Sequence, residues 1–140
     1  MRVLARAALG LVLLSTVLAG ELATAPPAAA VPACTLTAGK PSYYYEYPNG
    51  VKTKYVLATT TIVCADVVEY IFVSSALRKN GTLQAYGSAQ CLAKNTCRAH
   101  VRKRHSAGTW NNYGDGVVED PRYIKIYDWV PRRSTCVYIG

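Results

Sequence analysis

From residue 42 onward, apolar and polar residues alternate over short runs, and no window holds a sustained helical period. Turn signals interrupt the alternation at "PNG" (48–50), "KNG" (79–81), "YGDG" (113–116) and "DP" (120–121). Asn-Gly between extended runs is a strong hairpin signal, because both turn positions want positive φ. The pattern predicts strands near 42–47, 55–65, 67–77, 82–90, 97–104, 109–113 and 122–130. Tyr, Val, Thr and Ile, residues that suit a pleated surface, dominate these runs. Several short strands with evenly spaced turns indicate an all-β fold, an antiparallel sandwich or barrel.

The alternation also assigns faces. Val56, Ala58, Thr60, Ile62 and Cys64 share one face, so Cys64 is expected to point inward. In "RYIKIYDWV", Ile124, Ile126 and Val130 form the core side, while Tyr123, Lys125, Tyr127 and Trp129 form the outer side. "VVEYIFV" is apolar on both faces, which suits a central, well-covered strand. Trp110, after Gly108-Thr109, is expected in the core.

The first 33 residues read differently. Arg2 and Arg6 precede an apolar stretch, followed by "GELATAPPAAAVPA", small residues of the kind signal peptidase accepts. Residues 1–33 are expected to be a cleaved secretory signal peptide, and 34–140 a single β-sandwich domain. Cleavage fits after Ala30 or Ala33 better than after Ala25, where Pro26 obstructs it. The apolar run is too short to span a bilayer, so no stable membrane insertion is expected after cleavage. A lipid anchor on Cys34 is disfavoured by Pro32 and by the distance from the apolar run. The 107 residues from Cys34 onward carry 14 Lys/Arg against 7 Asp/Glu, a net charge of +7. That excess favours acidic partners and also serves solubility.

The segments "TTTIVCADVVEYIFVSSALRKNG", "CLAKNTC" and "AGTW" resemble, in order, a group of small secreted actinobacterial proteins with an Ig-like β-sandwich pattern. The shared features are a cysteine strand, a hairpin ending in Asn-Gly, a close cysteine pair, and Gly-x-aromatic opening a later strand. Many of that group carry a cysteine just before the Gly-x-aromatic, where this chain has Ser106–Ala107. The resemblance implies an Ig-like fold and lends no activity.

All five cysteines lie after the leader, in an expected oxidising compartment. Cys91 and Cys97 enclose "LAKNT", a loop whose closure would pin a hairpin between two strands. Cys34, Cys64 and Cys136 leave three pairings with one thiol over. Cys34–Cys64 is favoured, because an N-terminal strand can lie beside the Cys64 strand, with Cys64–Cys136 next. The spare thiol, Cys136 in the favoured pairing, is left to be capped or to link two chains. Cys91, Cys97, His100 and His105 are the ligand types of a zinc site. Five residues separate the cysteines, however, and the histidines fall on opposite faces of a strand, so neither metal nor cofactor is expected.

In "CRAHVRKRH", Arg98, His100, Arg102 and Arg104 fall on one face, about 6.6 Å apart. Guanidiniums at that spacing match a chain of phosphates or sulfates. The same charges also protect an edge strand from pairing. Eleven Tyr and two Trp exceed the needs of one small core, so some are expected outside. Tyr43, Tyr45 and Tyr47 form one row, and Tyr123, Tyr127 and Trp129 a second with stacking capacity. His100, His105, Glu119 and Asp120 would serve a small secreted ribonuclease, but nothing in their spacing brings them together. No Gly-x-Ser-x-Gly, His-Glu-x-x-His or phosphate loop is present, and "DGVVED" lacks calcium-ligand spacing.

The expectation is therefore a secreted, non-enzymatic protein with an anionic polymer or cell-envelope surface as partner. Its expected binding residues are Arg98, His100, Arg102, Arg104, Tyr123, Tyr127 and Trp129. The alternatives are a protease inhibitor presenting the loop 92–96 with Lys94 as specificity residue, and the ribonuclease. The residues leave the oligomeric state open.

Overall fold

In a computed structural model, the described residues are 34–122 and 127–140, with the side chains of 127–130 excepted. The expected signal peptide, the core positions Ile124, Ile126 and Val130, and the side chains of Tyr123, Tyr127 and Trp129 lie outside them. Seven strands follow in order: β1 (Cys34–Ala38), β2 (Ser42–Glu46), β3 (Thr53–Lys79), β4 (Thr82–Arg104), β5 (Gly108–Glu119), β6 (Tyr127–Arg133) and β7 (Val137–Ile139). Every pairing is antiparallel, and all seven strands belong to one curled sheet. The all-β, disulfide-bearing class holds. The sheet is continuous, whereas an Ig-like sandwich has two.

The long hairpin β3–β4 explains the curl. Asn80 (φ 48°) and Gly81 (φ 83°) make its turn. Both need the left-handed region, which Asn tolerates and Gly adopts freely. Down the hairpin, residue pairing jumps from Val68↔Lys94 to Val63↔Thr96, so residues 64–67 of β3 face Asn95 alone. This bulge bends both strands sharply. Cys91 and Cys97 show how sharply: their Cα atoms are 5.8 Å apart, where six residues of straight strand would span about 20 Å.

The expected breaks at 65–67 and 91–96 are thus bends within single strands of 27 and 23 residues. The disulfide Cys91–Cys97 closes a corner of β4 instead of joining a hairpin between two strands. Residues 53–64 of β3 and 96–104 of β4, flanked by β1 and β2, form one layer. The remaining halves with β5, β6 and β7 form the other. Cys34 pairs in register with Cys64 and is bonded to it, tying β1 to the bend.

The second correction concerns "YGDG", which lies inside β5 and makes no turn. Its glycines provide close approach. A Cβ on Gly114 would sit 2.6 Å from Thr60 Oγ1, and one on Gly116 would sit 2.5 Å from Ile62 Cδ1. β5 lies against the first layer because these side chains are missing.

Between the layers lie two apolar clusters. One contains Leu36, Ile62, Val68, Ile71, Val73 and Val118, and the other Val56, Leu77, Val101, Trp110 and Ile139. A polar belt separates them. Thr60 Oγ1 donates to Ser75 Oγ (3.1 Å), Ser75 Oγ to Asn112 Oδ1 (2.8 Å), and Asn112 Nδ2 back to Thr60 Oγ1 (3.1 Å). The ring satisfies three buried side chains reciprocally, which is what makes a polar interior tolerable. Trp110 is fully buried and donates Nε1 to the Ser106 carbonyl.

Candidate functional site: the outer face of β4

The second half of β4 alternates as its sequence dictates. Cys97, Ala99 and Val101 are buried, and Arg98, His100, Arg102 and Arg104 are exposed. Across β3 they stand opposite Thr61, Thr59, Leu57 and Tyr55 in that order. Among the described residues β4 pairs with β3 alone, so the basic row lies along a sheet edge.

The four positions are not equivalent. Arg102 is held by Glu46 on β2 at 2.6 Å and lies 3.3 Å from the Tyr44 hydroxyl. Its guanidinium lies 5.5 Å from the Tyr55 ring centroid, and Tyr55 stacks on Tyr44 at 5.9 Å. Hydrogen bonding to Tyr44, then the charge of Glu46, raises Arg102 above the ordinary guanidinium value. His100 Nδ1 is 2.9 Å from Thr59 Oγ1. Register alone could not reveal this lock on Arg102, because β2 and β4 are not neighbours in the chain. The alternation of "SYYYE" does set Tyr44 and Glu46 on one face, and that was the available signal.

On the opposite side of β2, Tyr43 and Tyr45 are 55% and 45% exposed, with their rings edge to face at 6.1 Å. Lys54 Nζ lies 4.4 Å from the Tyr43 centroid and Lys52 Nζ 4.3 Å from that of Tyr45. Tyr47, 63% exposed, follows β2. Of the second aromatic row, the backbone register alone is described: Tyr127 pairs with Val118 and Trp129 with Gly116. That edge of the second layer is separate from the β4 row.

The groups of the expected alternatives are dispersed. His105 is half-buried with Nε2 3.2 Å from the Ile139 carbonyl, so that nitrogen donates. Glu119 pairs with Tyr70 in the second layer, away from His100. Asp120 accepts from the Glu69 amide and from the Arg122 guanidinium and amide at 2.5–3.1 Å. The Arg122 hydrogen bonds hold its carboxyl well below the usual carboxylate range. This pair and Val67, Val68 and Ala93 line an open cleft of about 320 Å³ at the bend, whose acid is thus already engaged. Cys91 and Cys97 are bonded to each other, so their sulfurs offer no thiolate to a metal. Leu92 and Lys94 are exposed at the stapled corner, and Ala93 between them has φ 50°.

Fold and surface together define a small, all-β, disulfide-stapled protein with a basic sheet edge. No family model and no curated protein matches the chain. Among solved structures it is similar to one described as a crystal structure of a protein from Archaeoglobus fulgidus. The two share 12% identity, with 74% of this chain and 98% of that one covered, at a TM-score of 0.37.

Proposed function

We propose that this is a secreted, non-catalytic protein that binds an anionic polymer or cell-envelope surface through the outer face of β4. The observation that carries the reading is the exposed row Arg98, His100, Arg102 and Arg104 along a sheet edge, in a chain with a large basic excess. Successive charges about 6.6 Å apart suit repeated anionic groups. Arg98 and Arg104 supply exposed charge, and Arg102, held by Glu46, orients the row. Export is part of the proposal. The two disulfides accord with an oxidising compartment, and no described helix is long and apolar enough to cross a membrane. The likeness to small secreted actinobacterial proteins belongs to it too, supported by the order of the Cys64 strand, the Asn80-Gly81 hairpin and the bonded Cys91–Cys97 pair.

The binding reading is preferred over the inhibitor because Ala93 leaves the extended backbone beside Lys94. It is preferred over the ribonuclease because, among the described residues, His100 meets Thr59 Oγ1 and His105 the Ile139 carbonyl, with no carboxylate at either. The test is salt-gradient elution from heparin and from purified cell wall. Arg98→Ala/Arg104→Ala is expected to elute at clearly lower salt than the parent protein, since the affinity is ionic. Unchanged elution sinks the proposal, as does RNA turnover abolished by His100→Ala.

A further inference from the structure

Two described residues bear a buried side-chain polar atom with no hydrogen-bond partner: Arg78, through Nε, and Asn111, through Oδ1. They are paired directly across β3 and β5. Unpaired buried polar groups are rare and costly, so two on adjacent residues mark a place that needs explaining. Asn111 is only 6% exposed. Its amide nitrogen lies 3.9 Å from the sulfur of Cys136, the exposed free cysteine. Arg133 Nη2 lies 2.6 Å from the same sulfur, and hydrogen bonding to Cys136 raises Arg133 above its ordinary value. Arg78 lies 4.9 Å over the ring of Tyr113, the residue that pairs with Arg133. Arg133 and the half-satisfied amide of Asn111 thus stand at the thiol, while Arg78, across from Asn111, donates Nη1 to the Gly81 carbonyl (3.2 Å). Asp115, two residues along β5 from Tyr113, is engaged by Ser74.

We propose that Cys136 is a covalent modification site that takes a carboxylate-bearing, peptide-like small thiol as a mixed disulfide. The Cys136 thiol loses its proton to solvent, and its sulfur attacks one sulfur of a small symmetrical disulfide. A new S–S bond forms, the old one breaks, and the departing thiolate takes a proton from solvent. The small disulfide is the oxidant, so no further reagent is needed. Arg133 meets a carboxylate, and a turn of the Asn111 amide, whose Nδ2 faces the sulfur, brings Oδ1 to an N–H of the bound thiol. A Cys136–Cys136 bridge between two copies is the poorer product. It would bring the exposed Arg132 and Arg133 of one copy against those of the other.

The protein with its two disulfides intact is incubated with oxidised glutathione, an anionic disulfide, or with cystamine, a cationic one. Adducts are followed by non-reducing intact mass and peptide mapping. Glutathione is expected to add at Cys136 faster than cystamine. Arg133→Gln is expected to lower the ratio of the two rates by about tenfold, roughly threefold each from lost attraction and lost repulsion at exposed distances. Arg133→Lys is expected to keep the ratio, and Cys136→Ser to give no adduct while unfolding like the parent. An absent adduct, a disulfide-linked dimer as main product, an adduct surviving in Cys136→Ser, or an unchanged ratio in Arg133→Gln overturns the proposal.

Discussion

Replacing Gly114 by alanine puts a methyl group where the two layers touch. The new Cβ would stand 2.6 Å from Thr60 Oγ1 and 3.0 Å from Thr60 Cβ. Thr60 is fully buried and cannot swing away without breaking the ring it forms with Ser75 and Asn112. In a strand with room, exchanging glycine for alanine is worth about 0.5–1 kcal/mol in favour of alanine. Here overpacking costs about 2 kcal/mol and one lost hydrogen bond about 1 kcal/mol, so a net loss of about 2 kcal/mol is expected. For a domain of this size that lowers the melting temperature by roughly 9 °C. Urea unfolding followed by circular dichroism reads the change. Thr60→Ala clears the space, so the double variant Gly114→Ala/Thr60→Ala is expected to be more stable than the two single losses added, by about 1–2 kcal/mol. Gly114→Ala with equal or higher stability, or strictly additive losses, would show that the glycine is not there for close approach.

Glu46→Gln frees Arg102 and is expected to raise the salt needed for heparin elution, while Arg102→Ala lowers it less than Arg98→Ala; the opposite order would remove the lock from the account. Removing the Cys34–Cys64 pair is expected to cost about 4 kcal/mol and removing Cys91–Cys97 about 2 kcal/mol, because the first closes the longer loop; equal urea midpoints would argue otherwise. The folded Asp120 carboxyl titrates below its unfolded value of about 4. Its contribution is therefore complete above that pH and is lost as pH falls towards the folded value. The stability difference between parent and Asp120→Asn is expected to be constant from pH 7 to about 5 and to shrink in stronger acid. A difference that grows on acidification contradicts the assignment.

The parts of the fold that depend on near neighbours were legible. Alternation placed Val56, Ala58, Thr60, Ile62 and Cys64 on one buried face, and Ala99 and Val101 on another. The Asn80–Gly81 turn followed from backbone preferences of two residues. The strand boundaries at the bends were not legible, since a bulge and a hairpin loop interrupt the alternation alike. Gly114 and Gly116 misled for a related reason. A glycine serves a turn or a close approach equally well, and Thr60, the neighbour that decides, is more than fifty residues away in sequence. Within the candidate site, the row on β4 was readable from its period of two. The inequality of its members was not, because Glu46 and Tyr55 reach Arg102 only through the pairing of β2, β3 and β4.

By itself the sequence determined the β class, the inward faces of the strands and the exposed side of "RAHVRKRH", all set by sterics and hydrophobicity over a few residues. Tertiary structure alone decided that one hairpin bends to supply both layers, that Arg102 is already spoken for, and that Asn111 and Arg133 meet Cys136. Those outcomes depend on contacts between residues distant in the chain, and each exists only once the whole sheet has curled.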